Sequence, residues 1–247
     1  MISDYEQFLE IAKENLPYFC FMVWDYFKFP KFFQVKIINE SIVCTYENYS
    51  LFSGKPNVEI IKELNPTGEI FISFKPDWLS LIREEFHEFE PVISIGENEK
   101  INKFLCMELV KEQFTPRKEY QSRKLIREDQ SLLTIQRRIH QSRGFGGVGL
   151  LEDNSLIGCA FASQVVNEEP FSFTIIRDVW VDPSYRNLGL GADLTSHICK
   201  IAFDNQIENI YLWVEERNYP AVHIYEKLGF TTVDKFLSTI CKVKKKS

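Results

Sequence analysis

The chain has 247 residues, of which 45% are hydrophobic and 26% are charged, and its formal net charge is −6. This length and composition predict one large or two small globular domains and exclude intrinsic disorder. No apolar run approaches the roughly 20 residues of a membrane span. The first residues have neither the positive region nor the apolar region of a signal peptide. We therefore expect a cytoplasmic protein without a membrane partner.

The cysteines are widely scattered and form no CxxC pair, which argues against a zinc site and against a disulfide framework. Buried free thiols in a reducing compartment are the simplest interpretation, and no metal is expected. The cysteines are Cys20, Cys44, Cys106, Cys159, Cys199 and Cys241.

Charge is distributed unevenly along the chain. Residues 1–117 carry 12 Lys+Arg and 19 Asp+Glu, a net of −7, whereas the remainder carries 17 and 16, a net of +1. The first part also holds 14 of the 21 phenylalanines, and the second holds 8 of the 11 glycines. This shift predicts two domains, 1–117 and 118–247. The acidic first part argues against a nucleic-acid partner.

The first part has a mixed α and β pattern without a catalytic motif. Ser3 and Glu6 form a capping box before a stretch of helical periodicity. Helices are predicted at 4–15, 57–65 and 78–86, and strands at 18–29, 32–38, 42–52, 69–74 and 103–109.

The second part is more regular. Strands are predicted at 120–125, 147–152, 156–165, 173–181, 209–214, 230–233 and 236–243, and helices at 128–141, after Arg186–Ala192, and at 219–228. The polar triplet Asp153-Asn154-Ser155 predicts a hairpin turn. Gly229 follows the helix at 219–228 and is predicted to end it.

Residues 144–149 match the pattern G-x-G-x-x-G, which in dinucleotide-binding proteins follows a strand and opens a helix. Here a helix precedes the glycines and a strand follows, so a flexible connecting loop is favoured over a nucleotide site.

The stretch from Arg186 to Ala192 lies between a strand and a helix. Gly189 and Gly191 lack Cβ atoms, so backbone amides there can approach an anion, and a helix N-terminus favours negative charge. Arg186 adds a charge able to hold a phosphate. The pattern indicates a pyrophosphate cradle, with an ordinary glycine turn as the alternative.

A second pattern follows as Asn218-x-x-Ala221-x-x-x-Tyr225-x-x-x-Gly229-Phe230. Tyr225 would project a phenol from a rigid helix, where it could donate a proton to a leaving group. The alternative is a core aromatic side chain.

Together the two patterns resemble the GNAT superfamily of acyl-CoA-dependent N-acyltransferases, over about residues 118–247. Arg186, Gly189 and Gly191 match its phosphate signature, and the later signature matches at every named position. The resemblance implies an α/β (α+β) fold, in which helices flank a mixed central sheet with splayed parallel strands. Residues 1–117 match no motif; they would be a mixed α/β domain, either a degenerate second GNAT-like copy or an unrelated accessory domain.

The resemblance also implies a cofactor site and a mechanism. Acetyl-CoA would be the acyl donor, and an amine would attack its carbonyl directly, without a covalent enzyme intermediate. Tyr225 would protonate the leaving thiolate. No Ser-His-Asp or Cys-His motif is seen in the sequence, in keeping with direct attack. The implied cofactor-binding residues are Val179, Trp180, Val181, Arg186, Asn187, Leu188, Gly189, Leu190, Gly191, Ala192 and Asn218.

The attacking amine must lose a proton, and two carboxylates are candidate bases. Asp178 lies on the strand that leads to the phosphate loop, and Glu215 ends the next strand. Arg177 stands where some relatives have a carboxylate, which leaves the choice open. His197 and His223 lie on predicted helices and are interpreted as packing or surface residues.

The leading functional prediction is an N-acetyltransferase acting on a small molecule or a peptide amine, as a monomer or homodimer. Transfer of a longer acyl group, as in glycine acyltransferase-like relatives, is the alternative within the enzymes. A non-catalytic acyl-CoA-binding regulatory module is the alternative outside them.

The negative charge of residues 1–117 is expected to help recruit a cationic amine. Cationic acceptors should therefore react faster than neutral ones, and added salt should reduce the difference because it screens the attraction. Rates with matched amine pairs at several salt concentrations would measure this. Equal rates and no salt effect would contradict the hypothesis.

Overall fold

The computed structural model describes residues 3–62, 68–92 and 100–243. The chain forms two compact units. Unit 1 comprises Met1–Cys106, Glu215–Asn218 and Asp234–Ser247, and unit 2 comprises Met107–Val214 and Tyr219–Val233. The division of the sequence into domains near residue 117 stays a prediction.

Helices and short runs of strands are interspersed along the chain. In order they are α1 (Asp4–Glu14), α2 (Leu16–Lys28), β1 (Phe33–Ile38), β2 (Ser41–Tyr46), β3 (Tyr49–Gly54), α3 (Val58–Lys62), β4 (Glu69–Phe74), α4 (Leu79–Glu85), β5 (Phe86–Glu90), β6 (Asn102–Val110), β7 (Arg123–Lys124), α5 (Ile135–Gln141), β8 (Gly147–Glu152), β9 (Ser155–Glu168), β10 (Phe171–Val181), α6 (Leu190–Asp204), β11 (Asn209–Glu215), α7 (Tyr219–Leu228) and β12 (Thr231–Val243).

In unit 1, β2 pairs antiparallel with β1 and β3, β3 runs parallel to β4, and β12 pairs antiparallel with both β4 and β5. The capping box is present as predicted: Glu6 N–H donates to the Ser3 hydroxyl, and Ser3 N–H donates to the Glu6 carboxylate. Phe8 on α1 packs against Phe19 and Phe33 at ring distances of 5.9 and 5.2 Å. Part of the phenylalanine excess of the first part thus forms a buried aromatic core.

Residues 18–29 were predicted to form a strand, and that prediction is wrong because they lie mostly in helix α2. The run is mostly apolar and aromatic, so polar positions are too few to give a clear periodicity. Pro17 in the first turn and a length of 13 residues both suit a helix. Burial of Tyr18, Phe19 and Met22 against the rest of unit 1 overrides the β propensity of the aromatic residues.

Smaller differences occur elsewhere in unit 1. The predicted strand 42–52 is two strands, β2 and β3, joined by a turn at Glu47 with a φ of 52°. Helix α3 is described over Val58–Lys62, and residues 63–65 of the predicted helix lie outside the described residues. Strand β5 was not predicted.

In unit 2, the strand order is β11-β10-β9-β8-β7, with β10 parallel to β11 and the other pairs antiparallel. Helix α6 packs on β8, β9 and β10, and α7 packs on α6. The predicted hairpin turn is present, with φ values of 48° and 60° at Asp153 and Asn154. These values suit a two-residue turn that follows the twist of the strands.

Three predicted elements of the second part differ in extent. The predicted strand 120–125 is present only as the two-residue strand β7. Helix 128–141 consists of a 3-10 helix, Arg127–Leu132, and then α5, whose N-terminus the Thr134 hydroxyl caps. The two predicted C-terminal strands form the continuous strand β12, because residues 234–235 contain no turn-forming glycine or proline.

All six cysteines are buried free thiols, as predicted. Among the residues that the structure describes, no helix is both long and apolar enough to cross a membrane.

Gly229→Ala is expected to destabilise the protein strongly. Gly229 has a φ of +103°, and an added Cβ would lie 2.0 Å from the Gln113 carbonyl oxygen. Left-handed strain of roughly 1–2 kcal/mol would add to an overpacking cost of about 1–3 kcal/mol. Gly68→Ala is the matched control, because Gly68 has a φ of +90° and no described residue has an atom within 4 Å of the added Cβ. Urea unfolding of both variants would measure the difference, and equal losses would contradict the clash.

Candidate functional site

Strand β10 changes its pairing midway. It pairs with parallel strand β11 only over Phe173–Ile175, and its register against β9 shifts on both sides of Arg177. Asp178 follows in a left-handed conformation, with a φ of 50°. Such bulges re-aim side chains and interrupt strand pairing. Trp180 and Val181 still pair with β9, but beyond the bulge they have no described partner on the β11 side.

The predicted phosphate loop connects β10 to α6. Asn187 and Gly189 have φ values of 64° and 76°, and Gly189 is the N-cap of α6. Residues 186–189 are exposed, and Leu188 retains 65% of its accessible surface. The first amides of a helix lack intrahelical acceptors, so the loop presents donors and the positive end of the helix dipole to solvent. The predicted loop residues Leu190, Gly191 and Ala192 form the first turn of α6.

Two arginines border this loop. Arg186 Nε donates to the Val181 carbonyl oxygen at 3.2 Å. Arg117 donates from its guanidinium to the Gly189 carbonyl oxygen at 2.9 Å, and its backbone N–H donates to the Ser196 hydroxyl at 3.0 Å. No sequence pattern pointed to a contact of Arg117 with the loop, because Arg117 lies 72 residues before Gly189 in the chain.

Gly191 has a packing role within the same loop. An added Cβ would lie 3.2 Å from Ile224 Cδ1 on α7. The second glycine of the signature therefore permits close packing of α6 on α7.

Helix α7 holds Tyr225 in a fixed position. Gly229 N–H donates to the Glu226 carbonyl and Phe230 N–H to the Tyr225 carbonyl, the two bonds of a Schellman motif. The Phe230 ring contacts the Tyr225 ring, with centroids 5.7 Å apart. The Gly-Phe end of the later signature therefore terminates α7 and buttresses the tyrosine.

Tyr225 is 7% exposed. Burial raises the pKa of its phenol well above the ordinary value, and the nearby Cys199 thiol adds to the shift. The hydroxyl therefore stays protonated at neutral pH, which is the state that a proton donor requires.

Asp178 lies beside a histidine that the sequence did not single out. His140 Nε2 on α5 is 3.4 Å from Asp178 Oδ2, and His140 Nδ1 is 2.8 Å from the Ser163 hydroxyl on β9. Unlike a hydrolytic triad, this arrangement buries the serine, which is 2% exposed. The three residues are far apart in sequence and have no motif spacing, so only the fold could reveal them.

Glu215 and Asn218 belong to unit 1. Glu215 is 2% exposed, and its Oε2 accepts the Arg217 backbone N–H at 2.7 Å. Asn218 directly precedes α7, and its N–H donates to the Glu215 carbonyl at 2.9 Å. Glu215 therefore already serves as the acceptor for a local turn.

The other singled-out histidines lie on helices of unit 2. His197 on α6 stacks on Tyr120 at 4.5 Å, and its Nδ1 is 3.0 Å from the Ser122 hydroxyl. His223 on α7 is exposed.

The glycines at 144–149 allow close approach of the loop backbone to neighbouring residues. An added Cβ at Gly144 would lie 2.6 Å from the Ala162 carbonyl oxygen. Phe145 and Ala162 donate backbone bonds that tie this loop to β9. The loop joins α5 to β8, the reverse of the order in a dinucleotide site.

Comparisons with known proteins bear on the same elements. Residues 105–230 match the profile of the Acetyltransferase (GNAT) family. Mycothiol acetyltransferase of Thermomonospora curvata is 39% identical over 79 residues, 32% of this chain and 25% of that protein. Streptothricin acetyltransferase of Streptomyces lavendulae is 33% identical over 89 residues, 36% of this chain and 44% of that protein. The chain thus spans less than half the length of these curated relatives.

Solved structures extend the likeness in fold to most of the chain. The GCN5-related N-acetyltransferase of Kribbella flavida superposes with a TM-score of 0.58 at 11% identity, covering 92% of this chain and 95% of that one. Some of the GNAT-fold neighbours are tandem GNAT proteins. The predicted GNAT fold, a mixed sheet flanked by helices, is confirmed.

Proposed function

The chain belongs to the acetyltransferase (GNAT) family, and from this premise we propose that it transfers the acetyl group of acetyl-CoA to a primary amine of a small molecule. The observation that carries the proposal is the exposed, glycine-capped N-terminus of α6, which follows the part of β10 that has no described strand partner on the β11 side. This arrangement offers amides to a pyrophosphate and strand groups to an extended amide chain.

The cofactor would bind along these two features. Backbone groups of Val179, Trp180 and Val181 would pair with the pantetheine arm on the side that β9 leaves free. The amides from Asn187 to Ala192 would hold the pyrophosphate, with Arg186 supplying charge. Arg117 would join the residues that hold the pyrophosphate, because its guanidinium already donates to the Gly189 carbonyl oxygen.

The chemistry would be a direct displacement. The amine nitrogen attacks the thioester carbonyl, a C–N bond forms, and the C–S bond breaks as the tetrahedral intermediate collapses. Tyr225 would donate its phenolic proton to the departing sulfur. The phenol is protonated and has a proton to give, and its raised pKa makes it a weaker acid than an exposed tyrosine.

Asp178 is the preferred base of the two candidate carboxylates. Its side chain is 28% exposed, and it projects from the bulge in β10. Glu215 is more deeply buried and is occupied by the Arg217 amide. The amine proton would therefore pass to Asp178.

The acceptor is proposed from the relatives. Both curated relatives are named for the acetylation of small molecules, mycothiol and streptothricin. Thermal-shift measurements with acetyl-CoA and longer acyl-CoAs, then thiol release with a panel of amines, would test the assignment. A longer preferred acyl chain would support the glycine acyltransferase-like alternative, and binding without turnover would support a regulatory module.

Unit 1 is proposed to derive from a second GNAT-like copy that has lost its phosphate loop. A solved GNAT structure superposes on 92% of this chain, whereas the family profile matches only residues 105–230. Tandem proteins among the fold neighbours support the same idea.

Gly189→Trp is expected to weaken CoA binding by about 10- to 100-fold, because the bulky side chain would displace charge-assisted phosphate contacts. Gly68→Trp is the control, since Gly68 also has a positive φ but lies in unit 1, with no atom of a described residue within 4 Å of an added Cβ. Calorimetric titration with CoA would measure both. Unchanged affinity in Gly189→Trp would mean that the cradle is misplaced.

Tyr225→Phe is expected to lower kcat by about 10²- to 10⁴-fold with little change in CoA affinity, because only the proton donor is removed. Tyr211→Phe, a buried tyrosine on β11 of the same unit, is the control for loss of a buried hydroxyl. Full turnover of Tyr225→Phe across the pH range would contradict the general-acid role.

A further inference from the structure

A chain of polar side chains runs behind the bulge of β10. It passes from the Ser163 hydroxyl on β9 to the His140 ring on α5 and on to the Asp178 carboxylate. Ser163 is 2% exposed and the His140 side chain is 11% exposed. Asp178 Oδ2 is buried and has no hydrogen-bond partner among the described residues. A buried carboxylate oxygen is costly unless it is paired, so the contact with His140 has a reason to form.

The neighbours of His140 favour one position for the proton on its ring. If His140 carried its proton on Nδ1, the Nε2 lone pair would face the carboxylate and repel it. With the proton on Nε2, the ring can donate to Asp178, and the Ser163 hydroxyl can donate to Nδ1. The separation of 3.4 Å is long for a hydrogen bond, as is common for catalytic contacts before substrate binds.

We propose that His140 is a positioning residue that acts through Asp178, and that Ser163 fixes the tautomer in which His140 Nε2–H faces the carboxylate. The inference rests on the proposed function only for the step in which Asp178 accepts the amine proton.

The proton balance is simple. The amine N–H bond breaks and an O–H bond forms on Asp178 Oδ1, while His140 keeps its own proton and donates to Oδ2. Neutral His140 therefore orients the carboxylate without reducing its charge. Protonated His140 would form an ion pair with Asp178 and make it a weaker base.

Charged groups surround the ring on several elements. Arg143 lies just beyond α5, and Arg177 and Asp178 lie on β10, whereas β9 contributes Ser163 and the uncharged Phe161 ring at 6.0 Å. Burial lowers the pKa of His140, Arg177 lowers it further, Asp178 opposes the shift, and Arg143 again lowers it. His140 is therefore neutral at pH 7 and becomes charged only on acidification.

The kinetic test compares pH profiles of kcat/KM. In the wild type, activity should fall more steeply below pH 6.5 as His140 gains its proton and weakens Asp178. His140→Gln keeps a donor near Oδ2 but cannot titrate, so this added inflection should vanish while the rate at pH 8 stays within about tenfold of the wild type. Ser163→Ala should move the inflection to higher pH, because the neutral ring loses a donor.

His197→Gln is the matched control. His197 also has a serine hydroxyl at Nδ1, and burial also lowers its pKa, but the carboxylate beside it is Asp193. Its pH profile should match that of the wild type. An inflection that persists in His140→Gln, or that disappears in His197→Gln, would overturn the proposal.

A second measurement needs no turnover. The pKa of His140 can be followed by NMR of its ring in the wild type and in Asp178→Asn, and asparagine tolerates the positive φ at this position. The substitution should lower the pKa of His140, because it removes the charge that stabilises the imidazolium. An unchanged pKa would overturn the pairing itself. A lowered pKa in a protein that acetylates no amine would instead sustain the pairing and refute the proposed function.

Discussion

The short parallel pairing of β10 with β11 is the constraint on which the rest of the site depends. The pairing covers Phe173–Ile175 and ends at the bulge that contains Asp178. Because the pairing stops there, residues 179–181 have no strand partner on that edge among the residues that the structure describes. The same bulge turns Asp178 towards His140, and the strand then leads directly into the loop that opens α6.

The bulge also explains why polar groups are buried behind it. A left-handed aspartate in a strand is strained, and its buried carboxylate oxygen would be costly if nothing faced it. His140 lies opposite that oxygen and is itself held by Ser163. Backbone strain and a buried polar atom thus coincide at Asp178, and such coincidences are frequent at functional sites.

Local signals predicted the elements that carry the site. The α6 N-terminus, the hairpin turn and the end of α7 each depend on glycines or polar residues whose backbone preferences act over a few positions. Prediction failed where packing decided the outcome. Residues 18–28 have aromatic β propensity but form a buried helix. Strand β12 continues through Asp234 and Lys235, two charged residues that interrupt the apolar pattern without a glycine or proline to end the strand. Arg117, His140 and Ser163 were missed because their partners are distant in the chain.

The sequence alone indicated the family, the glycine-rich loop before α6 and the placement of Tyr225 on a glycine-terminated helix, since each follows from short patterns of neighbouring residues. Only the tertiary structure decided which carboxylate is accessible and what faces it. In the sequence, Asp178 within one strand and Glu215 at the end of the next are both candidate acids, and no local pattern separates them. The Glu215 carboxylate is buried and accepts the Arg217 backbone N–H, whereas the bulge brings the Asp178 carboxylate close to His140. Those differences arise from contacts between distant segments, which no local pattern encodes.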